Sequence, residues 1–254
     1  MIIDGIGLDF GTQFSIDINI MKPIIRWTIG NVSNLGIKCL CESVRSLFDI
    51  YGEKFEYYIC YNQINLKKIS SLEKYKVKFL NQHEHLNSLK IPPIKDHPCW
   101  KLYPPRINKE THEIFIDNDL IIYKRIPLVD FFLQQKDLFI ISEAYQRSYG
   151  FYTDVVKKGF VVNTGFFGVP PNYDFANDLN NSLKYWEPSS DNVEEDLVKN
   201  GYFDEQGLVA FIFQNKKTKI INLDQIGIYK NKTKGICGTH YIGINKIHTY
   251  MKFI

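Results

Sequence analysis

The alternation between Ile24 and Leu80 constrains the fold most. An apolar segment, Ile24–Ile29, ends at the polar run Gly30-Asn31-Val32-Ser33-Asn34. Helical spacing then takes over, with Leu35, Cys39, Val44, Leu47 and Phe48 on one face and Gly52 as the stop signal. A second strand follows at Phe55–Cys60, a short helix at Ile64–Leu72 and a third strand at Val77–Leu80. Strand, helix, strand, helix, strand is the pattern of an α/β domain with a largely parallel sheet. The 254 residues allow one large domain, or one domain with a small appendage. Residues 1–22, where Phe14, Ile16, Ile18 and Ile20 alternate with polar residues, read as an N-terminal strand or arm. Residues 23–254 form the domain proper.

Composition removes several function classes. Lys plus Arg is 31 and Asp plus Glu 28, so the net charge of +3 is too mild for nucleic acid as the main partner. The five cysteines, at 39, 41, 60, 99 and 237, form no CxxC pair. That argues against a disulfide scaffold or zinc ribbon and for reduced thiols in the cytoplasm. The first twenty residues hold Asp4, Asp9 and Asp17 and no Lys or Arg, unlike a signal peptide. No run approaches the ~20 apolar residues of a membrane-spanning helix.

Further along, Asn81–Asn108 is proline-rich and reads as loop. Pro127 opens a helix at Leu128–Gln135. Strands are expected at Leu138–Ile141, Phe160–Val162 and Ile220–Leu223, and helices at Asp174–Trp186 and Tyr202–Phe213. The sharpest local signal is Glu113-Ile-Phe-Ile-Asp117-Asn118-Asp119-Leu-Ile-Ile-Tyr123. Two carboxylates one residue apart at a strand end suit a hard divalent cation such as Mg²⁺ or Mn²⁺, with phosphate oxygens as further ligands. Ligands of open α/β sheets bind beyond the carboxyl ends of the strands. The same residues also suit a polar hairpin turn. The tail adds His240, a possible ligand, Lys246, a point charge for phosphate, and Gly243 between them, where backbone can approach a ligand.

In motif order the chain resembles glycosyltransferases of the nucleotide-diphospho-sugar transferase (GT-A) fold, of glycogenin-like and lipopolysaccharide galactosyltransferase-like type. Asp117-Asn118-Asp119 matches the DxD motif and His240-Tyr-Ile-Gly243-Ile-Asn-Lys246 the HxxGxxK element. Asn163-Thr164-Gly165 resembles the Asn-x-Gly segment, and Asp204-Glu205-Gln206 the acidic-Gln pair that opens a helix near the reacting sugar. The resemblance runs from about Ile24 to His248. It implies a single Rossmann-like domain with a mixed, mostly parallel sheet flanked by helices. It implies that Asp117, Asp119 and His240 hold Mn²⁺ or Mg²⁺, and that Gly243 and Lys246 hold the diphosphate. Gly30, Asn31 and Asn34 would touch the nucleobase and ribose, with Asn118 also on the nucleotide side. Asn163, Thr164 and Gly165 would line the donor-sugar and acceptor pocket. Glu205 and Gln206 would face the anomeric carbon and acceptor hydroxyl, with Asp204 the alternative acid. The implied partners are a nucleotide-diphospho-sugar, UDP favoured, and a glycan or other hydroxyl acceptor, with peripheral contact at the inner membrane face.

The sequence departs from the pattern after the Lys, where Ile247-His248 replaces the usual Pro-Trp. A sugar nucleotidyltransferase would need a Gly-rich, basic signature near the start, which Gly5-Ile-Gly7 and Gly11 do not supply. A non-catalytic binding module is the other reading, and it predicts decay of a metal ligand. His83, Glu84, His85, His97 and Cys99 fit no structural zinc spacing and read as surface loop. Lys101 and Arg106 read either as steering groups for a diphosphate or as surface residues.

Overall fold

The computed structural model describes residues 21–90, 97–183, 204–229 and 234–242. Strand β1 (Ile24–Ile29) leads into helix α1 (Asn34–Tyr51). Ser33 caps that helix by accepting from the Gly36 N–H at 3.3 Å. It stops at Gly52, whose φ of 55° is open to glycine. Strands β2 (Glu56–Tyr61) and β3 (Val77–Asn81) follow as expected. The helix expected over Ile64–Leu72 is instead two 3-10 turns, Leu66–Lys68 and Ser70–Tyr75. The stretch expected as loop contains two more, Gln82–Ser88 and Pro98–Leu102, the second capped by His97.

Strands β4 (Glu113–Ile116) and β5 (Leu120–Ile122) flank the two acids. Helix α2 (Pro127–Phe132) has its proline in the first turn. Then come β6 (Phe139–Glu143), β7 (Val162–Val169), α3 (Phe175–Ser182), α4 (Asp204–Phe213), β8 (Thr218–Ile221), β9 (Ile226–Ile228) and β10 (Gly238–His240). Strand β7 begins where the expected Phe160–Val162 strand ends and runs on to Val169, because β4 pairs with Phe166–Val169 and β6 with Val162, Asn163, Phe167 and Gly168. Residues 1–20, 184–203 and 243–254 lie outside the described residues, and with them most of the N-terminal arm, Gly243 and Lys246.

The main sheet has seven strands in the order β3-β2-β1-β4-β7-β6-β8. Strands β1 to β4 run parallel, β7 opposes both neighbours, and β8 is parallel to β6. A second sheet has the order β5-β10-β9. Strands β4 and β5 therefore belong to different sheets, and Asp117-Asn118-Asp119 is a crossing between them rather than a hairpin turn. The expected α/β domain with a mixed, mostly parallel sheet is the observed one.

The central strands β1, β4, β7 and β6 are buried on both faces, so they read as near-continuous apolar runs. Ile25, Trp27 and Ile29 pack with Leu40, Val44 and Leu47 of α1. The other face packs Phe115 and Phe167 against Phe175 of α3 and Phe213 of α4. Arg26 breaks the apolar run of β1. It is 1% exposed and pairs with Glu113 of β4 at 3.0 Å. Its guanidinium also donates to the carbonyls of Pro104 at 2.6 Å, Tyr103 at 2.7 Å and Lys101 at 3.3 Å. Arg106 completes the set, 3.2 Å from the second Glu113 oxygen. It also donates to the carbonyls of Thr111 and Pro170, so its role is to fasten loops.

Removing Arg26 leaves the buried Glu113 carboxylate with Arg106 as its remaining cation and strands several carbonyls. Arg26→Met is expected to destabilise by about 3–5 kcal/mol in urea unfolding. Lys54→Ala, which breaks the exposed Lys54–Asp130 pair, is expected to cost less than about 1 kcal/mol.

Candidate active site

Strand ends converge on one cavity of about 410 Å³. Gly30 and Asn31 reach it from the carboxyl end of β1, and Asp117, Asn118 and Asp119 from that of β4. Strand β7 is antiparallel to β4, so its first residues lie where β4 ends. Asn163 and Thr164 accordingly line the cavity, and the Asp117 N–H donates to the Gly165 carbonyl at 2.9 Å. Glu205 and Gln206 enter from the first turn of α4, and His240 from the end of β10. The pairing of β10 with β5 sets His240 opposite Leu120, one residue from Asp119.

Asp117, Asp119 and His240 form the one group of ligand-type side chains, among the described residues, close enough to share an ion; their ligand atoms lie within 4.8 Å of one another. His240 Nε2 is 3.1 Å from Asp119 Oδ1 and 3.5 Å from Asp117 Oδ2. Burial opposes a charge on this imidazole, but the two carboxylates outweigh it and lift its pKa to about 9. Gly165 is not in the cavity wall, but it makes room for the ring. A Cβ there would sit 2.1 Å from His240 Cε1.

Lys101, which the sequence left between a steering and a surface role, lies in the site. Its chain is buried, and its ammonium lies 2.6 Å from Asp117 Oδ1 and 3.5 Å from Glu205 Oε1. It also donates to the Thr164 carbonyl at 3.2 Å. Burial would lower its pKa, but Asp117 and Glu205 together hold it above the usual lysine range. Asp117 resists desolvation in turn because Lys101 and His240 hold its carboxyl well below the usual range.

The acidic-Gln pair resolves unevenly. Glu205 faces the cavity and accepts from Thr164 Oγ1 at 3.1 Å. Burial pushes its carboxyl up to about 7 against the pull of Lys101. Gln206 Oε1 accepts from Asn163 Nδ2 at 3.1 Å, and its Nε2 donates to the Ser148 carbonyl at 2.8 Å. Asp204 does not line the cavity. It is fully buried under Gly150, where its Oδ1 accepts from the Phe151 N–H at 2.8 Å. Asn34 is exposed on α1 and also lies outside the wall. Sequence reasoning missed Thr28, Cys39, Asn62 and Trp100, which line the cavity. Burial, with Asp119 nearby, raises the Cys39 thiol to about 12, so it is an inert wall.

Burial raises the Asp204 carboxyl to about 6 from an ordinary 3.8, with the Phe151 N–H opposing. The folded chain then binds more protons than the unfolded one between these values, and stability falls as pH rises through that window. Asp204→Asn keeps the acceptor for Phe151 and removes the charge. It is expected to melt above the unaltered protein at pH 7 to 8, by on the order of 1–2 kcal/mol, with the difference vanishing near pH 4. Equal melting at both pH values is the contrary outcome.

No family model and no curated protein matches the chain by sequence. Solved structures do match. The chain superposes on an active-site mutant of LgtC with a TM-score of 0.56 at 13% identity, covering 87% of each chain. The galactosyltransferase LgtC in complex with donor and acceptor sugar analogues gives a TM-score of 0.52, also at 13% identity and 87% of each chain. The apo form of the glycosyltransferase GlyE from Streptococcus pneumoniae TIGR4 gives 0.51 at 12% identity, over 82% of this chain and 47% of that one. The fold of this chain is the GT-A fold of these glycosyltransferases.

Proposed function

We propose that the chain is a metal-dependent glycosyltransferase that moves a sugar from a nucleotide-diphosphate donor, UDP-sugar favoured, to a hydroxyl of a glycan or similar acceptor. The observation that carries this is the meeting of Asp117, Asp119 and His240 with Lys101, Glu205 and Gln206 in one cavity. These side chains come from separate segments, and the fold is shared with glycosyltransferases, one of them solved with donor and acceptor sugar analogues.

The donor set fits Mn²⁺ or Mg²⁺. Two carboxylates and one imidazole supply oxygen and nitrogen ligands, and the open cavity leaves places for phosphate oxygens. A divalent ion held by Asp117, Asp119 and His240 would neutralise charge on the diphosphate leaving group. Lys101 adds a fixed positive charge beside Asp117 that needs no reorganisation as that charge develops. Lys246 and Gly243 are assigned to the diphosphate by the motif resemblance. Thr164 fixes the Glu205 carboxyl by hydrogen bond, and Asn163 fixes Gln206. With its pKa near 7, Glu205 can exchange a proton with an acceptor hydroxyl at neutral pH. Gln206 presents a neutral amide beside it, and a glutamine side chain suits sugar hydroxyls as donor and acceptor. The free cysteines, four of the five buried, fit a reducing compartment. Among the described residues no helix is long and apolar enough to cross a membrane.

Thermal melting with nucleoside diphosphates tests the reading. UDP with Mn²⁺ is expected to stabilise the protein by about 2.7 kcal/mol at one hundred times its dissociation constant, and UDP alone by far less. Asp119→Ala is expected to remove the metal-dependent part and sugar transfer while keeping the fold. Gly165→Ala, which drives a methyl into the His240 ring, is expected to weaken Mn²⁺ binding by about tenfold or more. Full transfer activity in Asp119→Ala would sink the proposal.

A further inference from the structure

Asn62, just past the end of β2, carries no motif yet lines the cavity beside Gly30. It is 4% exposed, and a chain of amides fixes which way its carboxamide points. Gln82 Nε2 lies 2.5 Å from the Trp100 carbonyl and 2.7 Å from the Tyr103 carbonyl. Two carbonyl acceptors require the amino group there, so Gln82 cannot be turned over. Its Oε1 then faces Asn62 and accepts from Asn62 Nδ2 at 2.9 Å. That leaves Asn62 Oδ1 as the outward atom. It lies 2.8 Å from where a Cβ on residue 30 would stand, and Gly30 has none. Among the described residues Oδ1 takes no hydrogen bond, and neither the Gly30 nor the Asn31 N–H donates to a backbone carbonyl.

The cavity wall at the ends of β1 and β2 thus presents an oriented acceptor next to backbone donors. We infer that Asn62 selects the nucleobase, its Oδ1 accepting the ring N–H of a uracil-type imide edge and so discriminating against cytosine. The inference rests on the nucleotide-sugar reading above. An imide edge runs carbonyl, N–H, carbonyl, so its ring N–H complements the Asn62 acceptor and a neighbouring carbonyl can meet a backbone N–H. Cytosine offers a lone pair at the ring nitrogen and an amine where one carbonyl would be, so it meets the acceptor and a donor with the wrong partners. A site built around an oriented acceptor rejects a ligand lacking the donor, because the acceptor then loses water without replacement. Through Gln82 the acceptor is tied to the 100–103 turn that also carries Lys101, so nucleobase and diphosphate recognition share one support.

The test is binding to the full chain with Mn²⁺, using UDP, CDP and UDP methylated at the uracil N3. The unaltered protein is expected to bind UDP about tenfold or more tightly than either analogue. Asn62→Ala is expected to weaken UDP about tenfold and bring UDP and CDP to within about threefold of each other, with the Mn²⁺ requirement kept. Gly30→Ala, which pushes Oδ1 aside, is expected to give the same loss of discrimination. Unliganded melting of both variants checks folding, and the N3-methyl comparison needs no variant. Equal binding of UDP and its N3-methyl form, or a preference for CDP, overturns the Asn62 assignment alone. Absence of binding by any nucleotide with Mn²⁺ overturns the transferase reading as well.

Discussion

A guanidinium in the middle of the sheet governs how the site is assembled. Arg26 occupies a position on β1 that the apolar pattern reserves for core, and its charge is tolerable because both terminal nitrogens of the guanidinium are paired. Glu113 supplies the counter-charge, three carbonyls between Lys101 and Pro104 accept its protons, and the Phe115 ring lies under it at 4.6 Å. Burying such a group costs several kcal/mol before its partners are counted, and breaking the set is worse than never having built it. The consequence is positional. Residues 101–104 have no sheet ladder of their own, yet they are held against β1 and β4, and Lys101 is thereby delivered to Asp117.

The second constraint is the change of sheet after β4. Strand β4 ends inside the main sheet, and β5 starts in the small one. The chain must cross the cavity mouth between them, and the crossing is Asp117-Asn118-Asp119. Strand β10 then pairs with β5 and returns His240 to the same spot. Two carboxylates and an imidazole from segments far apart in sequence meet because β10, the middle strand of the small sheet, is held between β5 and β9.

The site itself works against stability. Glu205 and Asp204 stand side by side at the start of α4, both raised by burial, and Lys101 is kept charged by its acidic neighbours despite its burial. Local rules of polar burial are strained here and satisfied elsewhere, which is what functional sites look like in otherwise consistent folds. The two acids divide the work by helical phase. Glu205 turns to the cavity, while Asp204 caps the Gly150–Phe151 turn.

Local pattern alone determined the three strands and the first helix between Ile24 and Leu80, the Asp117–Asp119 strand end, the proline start of α2 and a helix ending at Phe213. Each is a short-range matter of side-chain periodicity, caps and breakers. The motif order also picked out Asn163, Thr164, Glu205, Gln206 and His240, which the fold brings to one cavity. Tertiary structure decided the rest. Whether Asp204 or Glu205 faces the cavity depends on a 100° rotation per residue, finer than any boundary read from sequence. Lys101 looked like a lone charge in a proline-rich stretch because its placement is set by Arg26, 75 residues away in the chain. Asn62 was silent because its orientation comes from Gln82 and two carbonyls, a contact that only packing creates.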